Sequence, residues 1–519
     1  MDKPNKPDTD KPDKPDKPLQ IENGRPIARE NIPRVTYEVF YRTLSRFIRD
    51  GGAVTQYFGY PEDDKLVLLA VLRSSDLFVL ETRATREVLS LTGNIGAKFN
   101  LFEREIAEQY GLRLAGHPWM KMVRYHPNVV DKPDVFDNDY SQDIPGNYPY
   151  FQIQGEAIHE VAVGPVHAGI IEPGHFRFQC AGEEVLHLEI QLGYQHRGVE
   201  QLLTEVPLKR LPVLCEAVAG DTTIGHNLCC CQALEALAAL DVSHEARTVR
   251  TIALELERLS NHIGDLGALS GDVAFTPPAS YFGRIRGEFL NLLLVLCGNR
   301  FGKSLVRPGG VTQAMGPEQR RILSDKLREL RPEIRHVADL LFSAHTVLAR
   351  FERTGTVSRK IAEELGLVGY CGRASGLEYD VREFFPTERY ADLPGITNQV
   401  VQGDVYSRAM VRYEEILHSM DLIELLLAES ETPSPVVPVP ATNLRLVPAS
   451  FVVTLNEGWR GEVSHCVLTD ADGRIERYKI KDPSFHNWPG LAMALRNQEI
   501  SDFPLCNKSF NLSYCGFDL

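Results

Sequence analysis

TVRTIALELERLSNHIG, residues 248–264, is the stretch on which the fold turns. Its apolar residues recur every three or four positions, the period of an α-helix. Arg250, Glu257, Arg258 and His262 interrupt that pattern. Arg258 and His262 are four apart and share a face, whereas the neighbours Glu257 and Arg258 do not. Taken alone, the segment reads as a surface helix with solvated charges.

The surrounding chain repeats the helical pattern. Leu211–Leu240, His244–Leu266, Tyr281–Cys297, Pro317–Arg350 and Val405–Ala428 are long helical stretches, which predicts a helical bundle. Strands precede it from about Ile158, with Gly182–Gln191 the clearest. Residues 432–442 are rich in proline and end it. Strand patterns return at Phe451–Thr454 and Glu462–Asp470, followed by a turn at Asp472-Gly473.

The first part of the chain has a different texture. Residues 2–18 alternate Lys, Asp and Pro, so 1–26 is read as a disordered tail. Residues 27–125 predict a small α+β domain, with a helix at Tyr37–Arg49 and strands at Lys65–Leu72 and Leu77–Glu81. Residues 126–157 read as a linker, and 158–519 as the large domain. The fold class is therefore α+β: a small α+β domain, then a large mainly helical bundle flanked by N- and C-terminal β segments.

With 519 residues, more than one domain is expected. The net charge of −14 gives no general attraction to nucleic acid, so no nucleic-acid partner is expected. No apolar run reaches the roughly 18 residues of a membrane span, and the N-terminus has no apolar signal region. Cys229, Cys230 and Cys231 are consecutive on a predicted helix and point about 100° apart, so they cannot converge on one metal. They read as small buried apolar side chains. No cysteine spacing suits an iron–sulfur cluster, and no GxGxxG follows a strand.

Several polar residues stand on loops or helix entries. GPVHAGIIEPGHFR, residues 164–177, carries His167 and His175 on a Gly/Pro-rich loop. HRGVE, residues 196–200, places Arg197 and Glu200 three apart at a helix entry, which reads as an ion pair or part of a proton route. Arg307 in RPGG reads as a turn brace, and Arg373, Asp380 and Arg382 as a buried ion-pair network.

Six stretches in order carry a resemblance: GPVH, HRGVE, RTIALELERLSNH, RFGKSLVRPGGV (300–311), GRASGLEYDVR (372–382) and GDVYSRAMVRYEE (403–415). Together they resemble the large subunit shared by complex I and the energy-converting nickel–iron hydrogenases. GPVHAGIIEPGHFRF and the ending DPSFHNWPGLAMAL…DFPLCNKSFNLSY are similar to the hydrogenase branch, of the formate hydrogenlyase and hydrogenase-4 type. The likeness spans roughly residues 160–519. EREIAE (103–108) and GHP (116–118) resemble the small hydrophilic 30-kDa-type subunit of complex I, with departures at Gln109 and Lys121, so two subunits look fused.

The resemblance implies a peripheral oxidoreductase subunit on the cytoplasmic side of the inner membrane. Its implied partners are a small subunit carrying a [4Fe–4S] cluster and antiporter-like membrane subunits that translocate ions. It also implies two CxxC pairs for nickel and iron, but their positions are held by Ala219, Thr222, Ser513 and Gly516. Those side chains cannot replace thiolates. Cys515 is one residue out of register, and Cys215 a helical turn early. In the complex I branch the same cavity takes a quinone, bound by a His, a Tyr and an Asp. By motif these fall on His175, Gly220 and Asp272, with Asp221, Thr222 and Thr223 as substitute hydrogen-bonding groups and His167, Arg197 and Glu200 as further lining residues. Two readings stay open at this point: a quinone-type acceptor cavity, or a non-catalytic scaffold with a vestigial, filled cavity. A true nickel–iron hydrogenase is a more distant third.

Overall fold

The computed structural model describes residues 17–63, 65–125, 135–136, 150–167, 171–429 and 443–519. The tail over residues 1–16, most of the linker and all of the proline-rich stretch 432–442 lie outside them. The tail reading gives way early, because β1 (Leu19–Ile21) already pairs antiparallel with a strand of the first sheet.

The first unit runs β2 (Ile27–Ala28), β3 (Arg34–Val35), α1 (Tyr37–Arg49), β4 (Ala53–Glu62), β5 (Lys65–Arg73) and β6 (Leu77–Ala84). β7 (Glu87–Leu89), α2 (Leu91–Asn94), α3 (Asn100–Tyr110) and β8 (Arg113–Ala115) complete it. The main sheet has the order β1-β6-β5-β4, with β3 parallel to β6. α1 begins at its Thr36 cap, whose hydroxyl accepts from Val39 N, and buries Phe40 and Leu44. α3 ends at Gly111 with φ +62°, the left-handed stop that its glycine permits.

The large unit opens with the antiparallel sheet β9 (Ile158–Val163), β10 (His175–Ala181) and β11 (Glu184–Gln191), in the order β11-β10-β9. α4 (Val199–Glu205) and α5 (Leu211–Cys215) lead to α6 (Thr223–Leu237). The stretch read as a single helix over Leu211–Leu240 is thus broken at residues 216–222. α7 (His244–Asp272) and α8 (Thr276–Cys297) follow, then the short hairpin β12 (Val306–Arg307) and β13 (Gly310–Val311). α9 (Pro317–Ser343), α10 (His345–Phe351), α11 (Arg359–Leu365), α12 (Gly369–Ala374), α13 (Val381–Phe384) and α14 (Val405–Ala428) complete the bundle. The chain closes with β14 (Ser450–Gly458), β15 (Gly461–Thr469), β16 (Ile475–Lys481), α15 (Ser484–Ala494), α16 (Phe503–Phe510) and α17 (Tyr514–Asp518).

α7 is the axis of the bundle, packed against α6, α8, α14 and α16. This corrects the surface-helix reading: Arg250, Glu255, Arg258 and His262 are all fully buried. A buried charge is tolerated only when paired. Glu235 and Glu388 pair Arg250, Glu255 pairs Arg258, and Glu415 accepts from His262 Nε2 at 2.9 Å. Glu415 also joins Arg373, which reaches Glu457 at 2.8 Å and Asp380 at 3.2 Å. Asp380 bonds Arg382 at 2.6 Å, so the network read from residues 373–382 is present and buried. Arg307 braces its hairpin through Glu216 at 2.6 Å. Cys229, Cys230 and Cys231 are free and buried, as small core residues.

β2 adds to the edge of the C-terminal sheet, giving the order β16-β15-β14-β2. A shared core lies between the first sheet and this one, from Phe58, Tyr60, Val67 and Leu69 to Val453, Leu455, Cys466 and Leu468. Among the described residues no helix is long and apolar enough to cross a membrane.

Candidate functional site

The segment before α6 and the end of the chain meet. Arg197, on the loop into α4, donates to Ala217 O at 2.6 Å, Val218 O at 2.8 Å and Cys515 O at 3.1 Å. Arg460, on the turn from β14 to β15, makes the second clamp. It donates to Asn511 O at 2.6 Å and forms a two-pronged pair with Asp221 at 2.6 and 2.7 Å. Such forked pairing fixes both planes and holds the guanidinium firmly charged. The four positions expected to carry thiolates therefore belong to one site.

That site does not fit a nickel–iron centre. Ala219 and Thr222 are buried without a sulfur. Ser513 spends its hydroxyl capping α17, where it accepts from Gly516 N at 2.9 Å. At Gly516 a Cβ would lie 2.7 Å from Asp482 Cγ and 2.8 Å from its Oδ2. The carboxylate of Asp482 thus stands where a side chain at 516 would begin. The Cys515 thiol is pushed up to about 11 by burial and by Glu172, which keeps it protonated.

Behind the site lies a line of buried groups. Asp482 Oδ2 is 3.0 Å from His226 Nε2, His226 Nδ1 is 3.1 Å from His465 Nε2, and His465 Nδ1 is 2.9 Å from the Tyr478 hydroxyl. His226, His465 and Tyr478 have no exposed surface and Asp482 almost none. Asp482 is held below the ordinary carboxylate range despite burial, by His226 and Arg460. Burial drives His465 well below the ordinary histidine range, so it is neutral. In front, Gly220, Asp221, Thr223, Glu257, Asn261, Arg286 and Arg300 line a cleft of about 10 Å³. Glu257 accepts from Ile224 N at 2.6 Å and Gly225 N at 3.1 Å, at the start of α6. Burial nevertheless pushes its carboxyl up to about 8.

The model of the respiratory-chain NADH dehydrogenase 49 Kd subunit family matches residues 272–445. The carbon monoxide-induced hydrogenase of Rhodospirillum rubrum is 31% identical over 355 residues, 68% of this chain and 97% of the relative. The chain belongs to this NADH dehydrogenase subunit family. Hydrogenase-4 component G of Escherichia coli is 28% identical over 441 residues, 83% of this chain and 75% of the relative. A chain of the membrane-bound sulfane sulfur reductase, an archaeal respiratory membrane complex, has the same fold. Its TM-score is 0.65 at 23% identity, covering 72% of this chain and all of that one. This member of the NADH dehydrogenase subunit family is thus related to subunits of energy-converting hydrogenases and complex I-like assemblies, and such relatives work alongside partner subunits.

Within this family member the expected histidine–aspartate pair is not formed. His175 opens β10 and engages both ring nitrogens locally: Nδ1 with Gly164 O at 3.0 Å and Nε2 with Arg177 Nε at 3.1 Å. Its ring lies 5.2 Å from that of Tyr150. Asp272 is the last residue of α7, exposed, with Lys508 the charge it feels. The long α7 carries that carboxylate to the helix end, while His175 stays tied to its own sheet. His167 closes the β9–β10 loop through Gly174 O at 2.9 Å.

The Arg197–Glu200 ion pair is also absent. Arg197 clamps carbonyls, while Glu200 accepts from Ile480 N at 3.0 Å and pairs with Lys479 at 2.9 Å and Arg477 at 3.0 Å. Those cations hold Glu200 down at about 2. Asp221 and Thr222 are in the site, but Asp221 is already paired with Arg460, and Thr222 donates to Asp221 at 3.2 Å. Sequence reasoning missed Arg460, Asp482, His226, His465 and Tyr478. His226 follows Thr222 by four residues and Asp482 opens the DPSFHNW stretch, and neither position has a local spacing that marks it. Nothing local in the sequence links His465 or Tyr478 to them.

Proposed function

We propose that this chain is the acceptor-side subunit of a membrane-associated redox complex. Electrons arrive from the [4Fe–4S] cluster of a small partner subunit and reduce an organic, quinone-type acceptor rather than protons at a metal. The observation that carries this reading is Asp482 in the space of a side chain at residue 516, with Arg460 and Asp221 beside it. The site keeps a rich set of proton and hydrogen-bonding groups while excluding the thiolate cage. Asp221 is partly exposed and Gly220 exposed, so the site reaches the surface. Apolar side chains stand out on neighbouring segments: Val166 is 89% exposed, Ile171 48% and Phe301 39%. A partner's surface would cover them and supply the missing wall of the acceptor cavity. Antiporter-like membrane subunits would complete the assembly on the cytoplasmic side.

The test uses the complex purified gently from its native membrane and a short-chain quinone as acceptor. Quinone-dependent oxidation that falls at least about tenfold in Arg460→Met, with the subunits still assembled, is the expected result. A second reading, a scaffold, draws on the cleft of about 10 Å³, which has room for a water molecule and not a ring. Full oxidation rate in both Arg460→Met and Asp221→Asn complexes would establish the scaffold and end the first reading.

A further inference from the structure

The line from Asp482 to Tyr478 takes a single direction of donation when each imidazole carries one proton. Asp482 is ionised, so the proton in the first link belongs to His226 Nε2. When His226 carries a single ring proton, at Nε2, its Nδ1 offers only a lone pair, and the proton of the second link sits on His465 Nε2. His465 in turn offers a lone pair at Nδ1, which the Tyr478 hydroxyl satisfies. Every donor in the resting line points toward Asp482, and each ring nitrogen is used once. The helix α6 contributes His226, β15 His465, β16 Tyr478, and the start of the β16–α15 turn Asp482. Three segments have thus been brought to hydrogen-bonding distance in a buried place where isolated polar groups are costly. Asp482 also accepts from Ser484 N at 2.8 Å, which fixes its carboxylate plane against Gly516.

We propose that Tyr478, His465, His226 and Asp482 form a proton relay into this site, with Asp482 as its outlet. The inference rests on the reading of the site as one where a reduced acceptor takes up protons. In one delivery the His226 Nε2 proton passes to Asp482 Oδ2 and on to the reduced acceptor. The His465 Nε2 proton moves to His226 Nδ1, and the Tyr478 hydroxyl proton moves to His465 Nδ1. A proton from water restores the phenol, and both rings, now protonated at Nδ1, must return to the Nε2 form before a second delivery. Every N–H or O–H bond broken in the line is matched by one formed, and no electron moves through it. The relay is independent of which acceptor is reduced, since it requires only an anion that needs a proton.

Two measurements test it. In the full-length chain labelled with ¹⁵N at histidine, His226 and His465 are expected as neutral rings protonated at Nε2. His465 protonated at Nδ1 in the resting protein would overturn the relay, whatever the acceptor chemistry. In the intact complex, Tyr478→Phe keeps the ring and removes the first donor. Quinone reduction is expected to fall about tenfold or more, with KM unchanged and a larger solvent isotope effect. His465→Asn is expected to behave alike. An unchanged rate and isotope effect in Tyr478→Phe, in a complex whose wild type is active, would also overturn it. A wild-type complex that reduces no acceptor would sink the functional reading, and the tautomers would still decide the relay.

Discussion

If Asp482 fills the space of a side chain at 516, then Gly516 and Asp482 must be energetically coupled, with a predictable sign. Gly516 lies inside α17 and has no left-handed backbone, so Gly516→Ala on its own should gain helix propensity of about 1 kcal/mol. The new methyl would instead meet Asp482 Cγ at 2.7 Å. The carboxylate cannot swing away, since His226 and Ser484 N hold it. Overpacking of this kind costs about 1–3 kcal/mol. Asp482→Ala alone leaves His226 without its acceptor and should cost about 1–3 kcal/mol as a lost buried hydrogen bond. In the double variant the methyl is relieved of Asp482 and still meets Ser513 Oγ at 2.8 Å, so adding Gly516→Ala to Asp482→Ala should cost less than adding it to the wild type. The expected coupling is about 1–3 kcal/mol in favour of the pair. Urea unfolding of the four purified chains, compared by midpoint at constant slope, measures it. Additivity within about 0.5 kcal/mol, the usual behaviour of independent sites, would refute the claim that these two residues compete for one volume.

Glu257→Gln should flatten the dependence of stability on pH. Its folded carboxyl is raised to about 8 from 4.5, so the folded state holds the proton more tightly. The wild type should lose stability relative to the variant as pH rises from about 4.5 through about 8, read by thermal melts across that range. Glu415→Gln should cost about 3–5 kcal/mol, because Arg373 and His262 are left facing a neutral group in the centre of the bundle. A fall in the urea midpoint below that expectation by more than half would show that Glu457 and Asp380 already suffice for Arg373.

Much of the architecture was legible. Helices at Tyr37–Arg49 and Val405–Ala428 appear with the expected bounds, because both carry strong apolar periods and clear caps. β14, β15 and the turn at Asp472-Gly473 were visible from their alternating apolar runs and turn residues, whereas β16 was not read from the sequence. The break at 216–222 was hidden, since Glu216, Ala217, Val218 and Ala219 all suit a helix and only Gly220-Asp221 marks the interruption. The charges of α7 misled for a physical reason. A periodic helix with arginines and glutamates looks solvated unless one knows that Glu415, Glu457 and Glu388 arrive from far along the chain.

The site was half legible. The loss of the four thiolates could be read directly, and Asp221 and Thr222 lie together beside Arg460. Which acid serves which base could not, because such pairs are set by tertiary contact: His226 and His465 are 239 positions apart. His175 and Asp272 look paired by motif, yet one is anchored in a sheet and the other ends a helix.

The two-residue strand β2 bears on how this chain came to be a single polypeptide. Ile27 and Ala28 bond Phe451 and Ser450, so the leading segment covers what would otherwise be the unpaired margin of the closing sheet. Bare margins of this kind recruit other strands and promote self-association. Separating the first unit from the rest would uncover both that margin and the oily face beneath it. Joining the two within one polypeptide keeps the protective strand at hand from the moment of synthesis, so the fusion works as a built-in safeguard against aggregation as well as a tether.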